Sequence, residues 1–231
     1  MPAALRRRDL VLGILLLSAA TSPLRAQELD GPTESLVIAW RAPAVPQMPT
    51  VTWSIAPAER NTAAIRTEAR TLFDRMTTES TTYRVLFPLR NTDPFGMLYE
   101  FEYDRAEIDR LGRLEDGKSM RFAAKAVAST VHPQTKQEYR REYSGASLLT
   151  VERHETIEVP AGKFDTVVIK IEGEGVPSTP AITHVLRRYW YAPSVGWYVR
   201  HELVATGPSI NQRNQYVAVK ITRTEKRSDA K

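Results

Sequence analysis

TVERHETIEVPAGKFDTVVIKIE, residues 150–172, consists of two β-type runs on either side of the turn Pro160-Ala161-Gly162. In the second run Val167, Ile169 and Ile171 place apolar side chains at every second position, which is the period of a half-buried strand. Proline ends a strand because it has no N–H for the ladder, and glycine can supply a positive φ in a tight turn. The stretch therefore predicts an antiparallel hairpin.

The same period of two continues on both sides of this hairpin, from Thr81 to Arg223. Short connections rich in turn-forming residues separate the runs, and they permit hairpins but not the long crossovers that parallel strands require. Roughly eight to ten strands result, and a sheet of that size curls on itself or splits into two layers. The predicted fold class is mainly β: a large curved antiparallel sheet, either a half-barrel or barrel-like.

The segment Ala58 to Met76 has a different period. Ile65, Ala69, Leu72 and Met76 recur at spacings of three and four residues, with arginine and glutamate between them. That spacing is typical of one apolar helix face. The sequence thus predicts one amphipathic helix near residues 58–76.

The N-terminal region has the features of an export signal. Arg6-Arg7-Arg8 precede Asp9 and an apolar run, and small residues follow as far as Ala26. This pattern predicts a signal peptide of twin-arginine type over residues 1–26, cleavage near Ala26, and a periplasmic or secreted product. The general secretory route is the alternative. The apolar run is shorter than the about 20 residues that span a bilayer, so no membrane span is expected in the mature chain.

Beyond the signal we expect three parts. Residues 27–57 hold N-terminal strands and a Pro-rich connector, residues 58–223 form a single β-rich domain, and residues 224–231 are a charged tail. The sequence contains no cysteine, which excludes disulfides, thiolate metal sites and a lipid-modified cysteine. Much of the formal net charge of +5 lies in the signal, so the near-neutral mature chain is not expected to bind nucleic acid.

The histidines do not have the spacing of metal ligands. His154-Glu155 and His201-Glu202 are adjacent pairs on predicted strands, so the two side chains of each pair should point to opposite faces. His132 and His184 are isolated. We therefore predict no metal site, no cofactor and no catalytic residues.

A row of carboxylates, Glu100, Glu102 and Asp104, shares one face of a predicted strand. Two carboxylates flanking a sugar could serve a glycosidase. Pairing with cross-strand arginines is the interpretation that we favour, and the sequence offers three such partners, Arg84, Arg140 and Arg141.

Two hairpin motifs carry a resemblance to a known family. VPAG-x-F at residues 159–164 and WYAP-x-VG at residues 190–196 resemble motifs of DUF3108-like and TapB-like exported bacterial domains of unassigned function, and residues 111–119 are similar to a third element. The resemblance implies a curved half-barrel like those of periplasmic lipoprotein carriers, in which a sheet wraps a hydrophobic concavity and a helix closes its mouth. It implies no catalytic residues.

The second motif and the two residues after it contain four aromatic residues that either pack in the core or form a ligand-binding surface: Trp190, Tyr191, Trp197 and Tyr198. Our leading hypothesis is an exported, non-catalytic periplasmic protein that binds an apolar or lipid-like envelope ligand. One alternative is a periplasmic hydrolase with an unrecognised site, although no matched acid, base and nucleophile is visible. Another is an interaction module that binds an envelope protein through a sheet edge.

Overall fold

The computed structural model of the protein describes residues 28–44, 50–59, 61–70, 75–93, 96–132, 134–174, 184–208 and 210–224. The predicted signal peptide with its cleavage site near Ala26 lies outside these ranges, as does nearly all of the predicted charged tail. The strands are β1 Ser35–Arg41, β2 Val51–Pro57, β3 Thr62–Arg70, β4 Arg75–Tyr83, β5 Phe87–Thr92, β6 Leu98–Tyr103, β7 Ser119–Val131, β8 Glu138–Val159, β9 Gly162–Glu174, β10 His184–Ala192, β11 Trp197–Gly207 and β12 Ile210–Thr224, and the helix α1 is Arg105–Asp109.

The strands form a closed barrel. Each strand pairs antiparallel with its neighbours in the chain, and β1 also pairs with β12, with Ile38 opposite Ile221. The prediction of a mainly β, antiparallel, barrel-like fold is confirmed. Because β1 and β12 pair with each other, the described sheet has no terminal edge strand, contrary to what a sheet-edge interaction module would need.

The prediction of an amphipathic helix near residues 58–76 is wrong. Ala63 and Ile65 are buried while Ala64 and Arg66 are exposed, so the segment alternates with a period of two and forms β3. The helical spacing arose because alanine and threonine at intervening positions do not distinguish a strand from a helix. Pairing with β2 and β4 then overrides the local propensity.

One end of the barrel is capped by the chain itself. The connections β4–β5, β6–β7, β8–β9 and β10–β11 lie at this end together with the segment before β1. Leu29 from that segment is buried in the same core cluster as Ile108 of α1. The Tyr191 hydroxyl donates a hydrogen bond of 2.8 Å to the Asp30 carbonyl, and Arg84 pairs with Asp109 at 2.7 Å. These contacts tie the cap to the barrel wall.

The hairpin at residues 150–172 forms as predicted. Val159 pairs with Gly162, which has a φ of 139°, and the Phe164 ring lies over the glycine. The backbone N–H of Ala161 donates a hydrogen bond of 3.1 Å to the carbonyl of Ala218 on β12. The turn therefore bends across the capped end and contacts the strand that closes the barrel.

Replacing Gly162 by valine should lower the free energy of unfolding by roughly 1–3 kcal/mol, because a β-branched residue is strained at positive φ. Urea unfolding of the purified chain measures the effect. Gly145→Val is the matched control, since Gly145 lies within β8 without a positive φ and has no atom within 4 Å of the point that a Cβ would occupy. Equal stability of the two variants would contradict the prediction.

Candidate functional site

The inside of the barrel is lined by aromatic rings. A closed sheet of this size encloses more space than an eight-stranded barrel, whose interior ordinary side chains just fill. Large side chains occupy part of the extra space here. The inward-facing aromatic residues that contact one another or line the interior are Trp40, Trp53, Phe87, Phe101, Tyr103, Phe122, Tyr143, Tyr189, Tyr198 and Tyr216.

These rings do not fill the interior completely. A cavity of about 210 Å³ lies between β5 and β10, and we call it the lumen cavity. Ala124 on β7 and Gly145 on β8 face each other across the ladder and line it, and their small size leaves the space open. The rings of Phe101 and Tyr103 stack at a centroid distance of 6.4 Å along another wall. The lining of the cavity therefore combines aromatic and small apolar side chains with Ser144, Ser147, tyrosine hydroxyls and Arg187.

The wall beside the lumen cavity is incomplete. The ladder between β5 and β6 runs only from Arg90 opposite Glu100 to Thr92 opposite Leu98 in the described chain. Phe87 on β5 and Tyr103 on β6 lie beyond the end of this pairing, and both line the cavity. Their rings meet edge to face at 5.7 Å. Side chains, and not backbone hydrogen bonds, thus close this seam.

An aromatic cage surrounds His201 next to the cavity. Its ring stacks on Tyr216 at 4.8 Å, and Trp53 and Tyr189 lie nearly parallel to it at 6.0 and 6.4 Å. The rings of Trp40 and Tyr198 meet it at 5.3 and 5.5 Å. Burial among these rings, with the positive charge of Arg187 as a second cause, lowers the pKa of His201 to about 4. His201 is therefore neutral at physiological pH.

Arg187 brings a positive charge to the lumen cavity. It lies on β10 opposite Ile171 on one side and Leu203 on the other, and it lines the cavity together with Tyr189. Burial raises the pKa of Tyr189 and of Tyr103, and the charge of Arg187 opposes that rise in both. The field of this guanidinium therefore reaches across the cavity.

The outer face of the same strands carries a network of charges. Arg188 donates to both carboxylate oxygens of Glu152, at 2.7 and 3.0 Å, and to Glu202 at 3.1 Å. Arg213 also donates to Glu202, whose side chain is only 3% exposed. Nearby, the Trp190 indole N–H donates to Glu155 at 2.6 Å. Two carboxylates and two guanidiniums thus hold β8, β10, β11 and β12 together from outside.

The structure places the four candidate aromatic residues in different environments. Trp190 is buried on the outer face beneath Arg200, whose guanidinium lies 4.1 Å from the ring centre. Tyr191 and Trp197 are buried in the core cluster near the cap, and Tyr198 belongs to the cage around His201. The four side chains therefore do not form one surface, and Tyr198 is the member closest to the lumen site.

The polar residues considered from sequence also separate. His201 faces inward and Glu202 outward, as predicted from their adjacency. His154 Nδ1 lies 2.5 Å from Asp116 Oδ1 near the cap. Among the described residues, no nucleophilic side chain is hydrogen-bonded to the His154 ring. Within the described ranges, no three histidine, aspartate or glutamate residues are placed to hold a metal ion.

The carboxylate row has partners other than those expected. Glu100 lies opposite Arg90, and Glu102 lies opposite Lys125. Asp104 leaves the row and caps α1 by accepting a hydrogen bond from the backbone N–H of Glu107. The predicted partners pair elsewhere: Arg84 with Asp109, Arg140 with Glu142, and Arg141 with the ring of Tyr143.

Sequence reasoning missed Arg187, His201 and Tyr216 as lumen residues. The signal that could have found Arg187 is alternation, because Arg187 and Tyr189 share a face with Tyr191. No comparable signal existed for Tyr198 and His201. They face the same way three residues apart because the β10–β11 ladder shifts register between Trp190 and Tyr191, which leaves Val199 as an extra residue.

A larger hollow of about 550 Å³ lies on the outer surface across β1 to β5. The side chains that line it include the exposed Ser54, Ala56, Ala64 and Arg66. This mixture of small and charged exposed groups lacks the apolar enclosure of a small-molecule site. The lumen cavity is the better candidate.

The fold and this interior define a closed up-and-down antiparallel β-barrel with an aromatic lumen, capped at one end. In the ranges that the structure describes, no helix has the length and apolarity to cross a bilayer. No protein-family model and no curated protein matches the chain, so the resemblance to DUF3108-like and TapB-like domains is not confirmed.

Three solved structures show a remote likeness. The hypothetical lipoprotein YmcC from Escherichia coli has 10% identity over 81% of this chain and 84% of its own, with a TM-score of 0.44. An exported protein with a YmcC-like fold from Bacteroides fragilis has 11% identity over 84% and 99%, with a TM-score of 0.43. A protein described as a lipoprotein from Parabacteroides distasonis has 12% identity over 85% and 99%, with a TM-score of 0.40. Likeness at this level assigns no function.

His201, which is packed among aromatic rings, should make the fold sensitive to acid. Its pKa is about 4 in the folded chain and 6.5 as a free side chain, so the unfolded state binds the proton more tightly between these values. The free energy of unfolding should therefore fall by up to about 3 kcal/mol as the pH drops from 6.5 to 4. His201→Phe should remove that loss, and His184→Phe, at an exposed position, should not. Parallel pH profiles of urea unfolding in all three proteins would show the prediction to be wrong.

The outer network should contribute measurably to stability. Glu202→Gln keeps the shape of the side chain but leaves Arg188 and Arg213 without a shared carboxylate, which should cost roughly 1–3 kcal/mol. The control is Glu142→Gln, because Glu142 is 75% exposed and pairs with Arg140 at 3.6 Å. That exposed pair should contribute less than about 1 kcal/mol. Thermal and urea unfolding measure the stability loss of each variant. Equal losses would contradict a stabilising role of the outer network.

Proposed function

We propose that this chain is an exported, non-catalytic binding protein that holds an apolar, lipid-like ligand inside its barrel. The observation that carries the proposal is the lumen cavity of about 210 Å³, which is lined by aromatic rings and kept open by Ala124 and Gly145. Apolar cavities with a few polar groups are the usual form of small-molecule sites. The polar groups here are Arg187, two serine hydroxyls and the tyrosine hydroxyls of the lining, among them that of Tyr189.

The size of the cavity limits the ligand. A volume of about 210 Å³ is smaller than the roughly 300–1,000 Å³ of pockets for drug-sized ligands. It equals about seven water molecules at their liquid volume, and a methylene group has a similar volume. About seven carbons of one unbranched hydrocarbon chain fit this space, and the rest of a longer chain extends out of it. A sterol or a second chain does not fit.

Export is part of the same proposal. The arginine triplet and apolar run before Ala26 support an extracytoplasmic location, where free and membrane-derived amphiphiles occur. A hydrolase has less support, because the His154–Asp116 pair lies near the cap and not in the lumen cavity. Among the described residues, the lining of the lumen cavity contains no carboxylate that could act as a base beside Tyr189.

The test is to fill the cavity without disturbing the fold. Gly145→Leu adds an apolar side chain at a position with free space around it, so the variant should fold at least as stably as the wild type. The added side chain occupies the space of about three methylene groups, each of which contributes about 0.8 kcal/mol to burial. Binding of decanol, measured by titration calorimetry, should therefore weaken by more than about tenfold.

Ala146→Leu is the matched control, because Ala146 is the next residue on β8 and points to the exposed outer face. Its affinity for decanol should equal that of the wild type. Saturable binding that Gly145→Leu leaves unchanged would place the ligand elsewhere. Absence of saturable binding to the wild type would refute the proposed function.

A further inference from the structure

Arg187 lines the lumen cavity with an exposed side chain and, unlike its neighbour Arg188, forms no ion pair with a carboxylate among the described residues. Of the ion pairs in the described chain, none includes Arg187, and the carboxylates of the network all lie on the opposite face of the sheet. Residues 175–183, which precede β10, contain no aspartate or glutamate. The aromatic residues that share its cavity are neutral. Within the part of the chain that the structure describes, the guanidinium thus lacks a counter-ion beside an apolar space.

The neighbouring residue shows that this is specific to the inner face. Arg188 follows Arg187 on β10, points outward, and binds two carboxylates, Glu152 and Glu202. The sheet therefore neutralises one arginine fully and leaves the other facing the lumen. Arg187 is exposed and also lines the lumen cavity, so its guanidinium stays hydrated where the cavity meets solvent and is open to an anionic partner.

The geometry points to an acidic amphiphile as the ligand: we infer that a single unbranched chain occupies the lumen cavity and that its anionic head group binds Arg187. This inference rests on the proposed function and adds the chemical class of the ligand. A guanidinium offers parallel N–H groups that match the two oxygens of a carboxylate or phosphate. The hydroxyl of Tyr189, two residues along the same face, can donate a further hydrogen bond to the head group.

The property required of the head group is a negative charge. Two classes of single-chain amphiphile have one: fatty acids and monoalkyl phosphates. Decanoate and decyl phosphate represent them, decanol is the neutral probe, and decyltrimethylammonium is the cationic probe. Each is titrated into the mature chain at low concentration and low salt, where charge contributes most. The wild type should bind at least one anionic probe about tenfold more tightly than decanol, and the cation least.

The variants separate the charge from the cavity. Arg187→Gln should weaken binding of the anionic probe by about tenfold or more and change decanol binding by less than about twofold. Arg187→Lys keeps the charge without the planar fork and should give an intermediate loss. Arg121→Gln removes an exposed arginine from the outer face of β7 and should change neither affinity.

The outcomes distinguish this inference from the proposed function. Equal affinities for decanol and both anions in the wild type, or an anion affinity that Arg187→Gln leaves unchanged, would overturn the inference and leave a neutral-ligand carrier. Failure of all four probes to bind would overturn the proposed function as well. If Arg187→Gln does not fold, the head-group series on the wild type and Arg187→Lys still decides.

Discussion

Pairing of β1 with β12 is the interaction on which the rest of the structure depends. It joins the first and last described strands, removes the terminal edges, and fixes the circumference of the barrel. A barrel of this circumference has an interior that aliphatic side chains from its own wall cannot fill. The large rings on the inner face, the segment around Leu29 and the bent β8–β9 turn all reduce that space, and the lumen cavity is what they leave.

Alternation along the strands gives the two faces of one sheet different chemistry. Arg187 and Arg188 are adjacent, as are His201 and Glu202, and each pair sends one member into the lumen and one to the outer face. The outer members form ion pairs that bind four strands together. The inner members meet aromatic rings. A substitution in this region can therefore alter the lumen or the outer charge network separately, depending on which face its position occupies.

Local features of the fold could be predicted from the sequence, and long-range ones could not. The hairpin at residues 150–172 follows from period and turn chemistry, which are local. Closure depends on pairing Ile38 with Ile221, for which a single sequence gives no register. The cage around His201 depends on a bulge at Val199, and β3 was mistaken for a helix because Ala63 and Thr67 fit both periods.

The position of the lumen cavity also determines by which route a hydrocarbon ligand of the proposed kind could reach it. The cap closes one end with buried apolar residues such as Leu29 and Ile108, so entry there would require the core to open. Beside the cavity, in contrast, β5 and β6 separate below Arg90, and Pro88 has no N–H to donate to either neighbouring strand. Arg187 lines the same cavity from β10 and is exposed, so its guanidinium can be reached from solvent without passage through the seam.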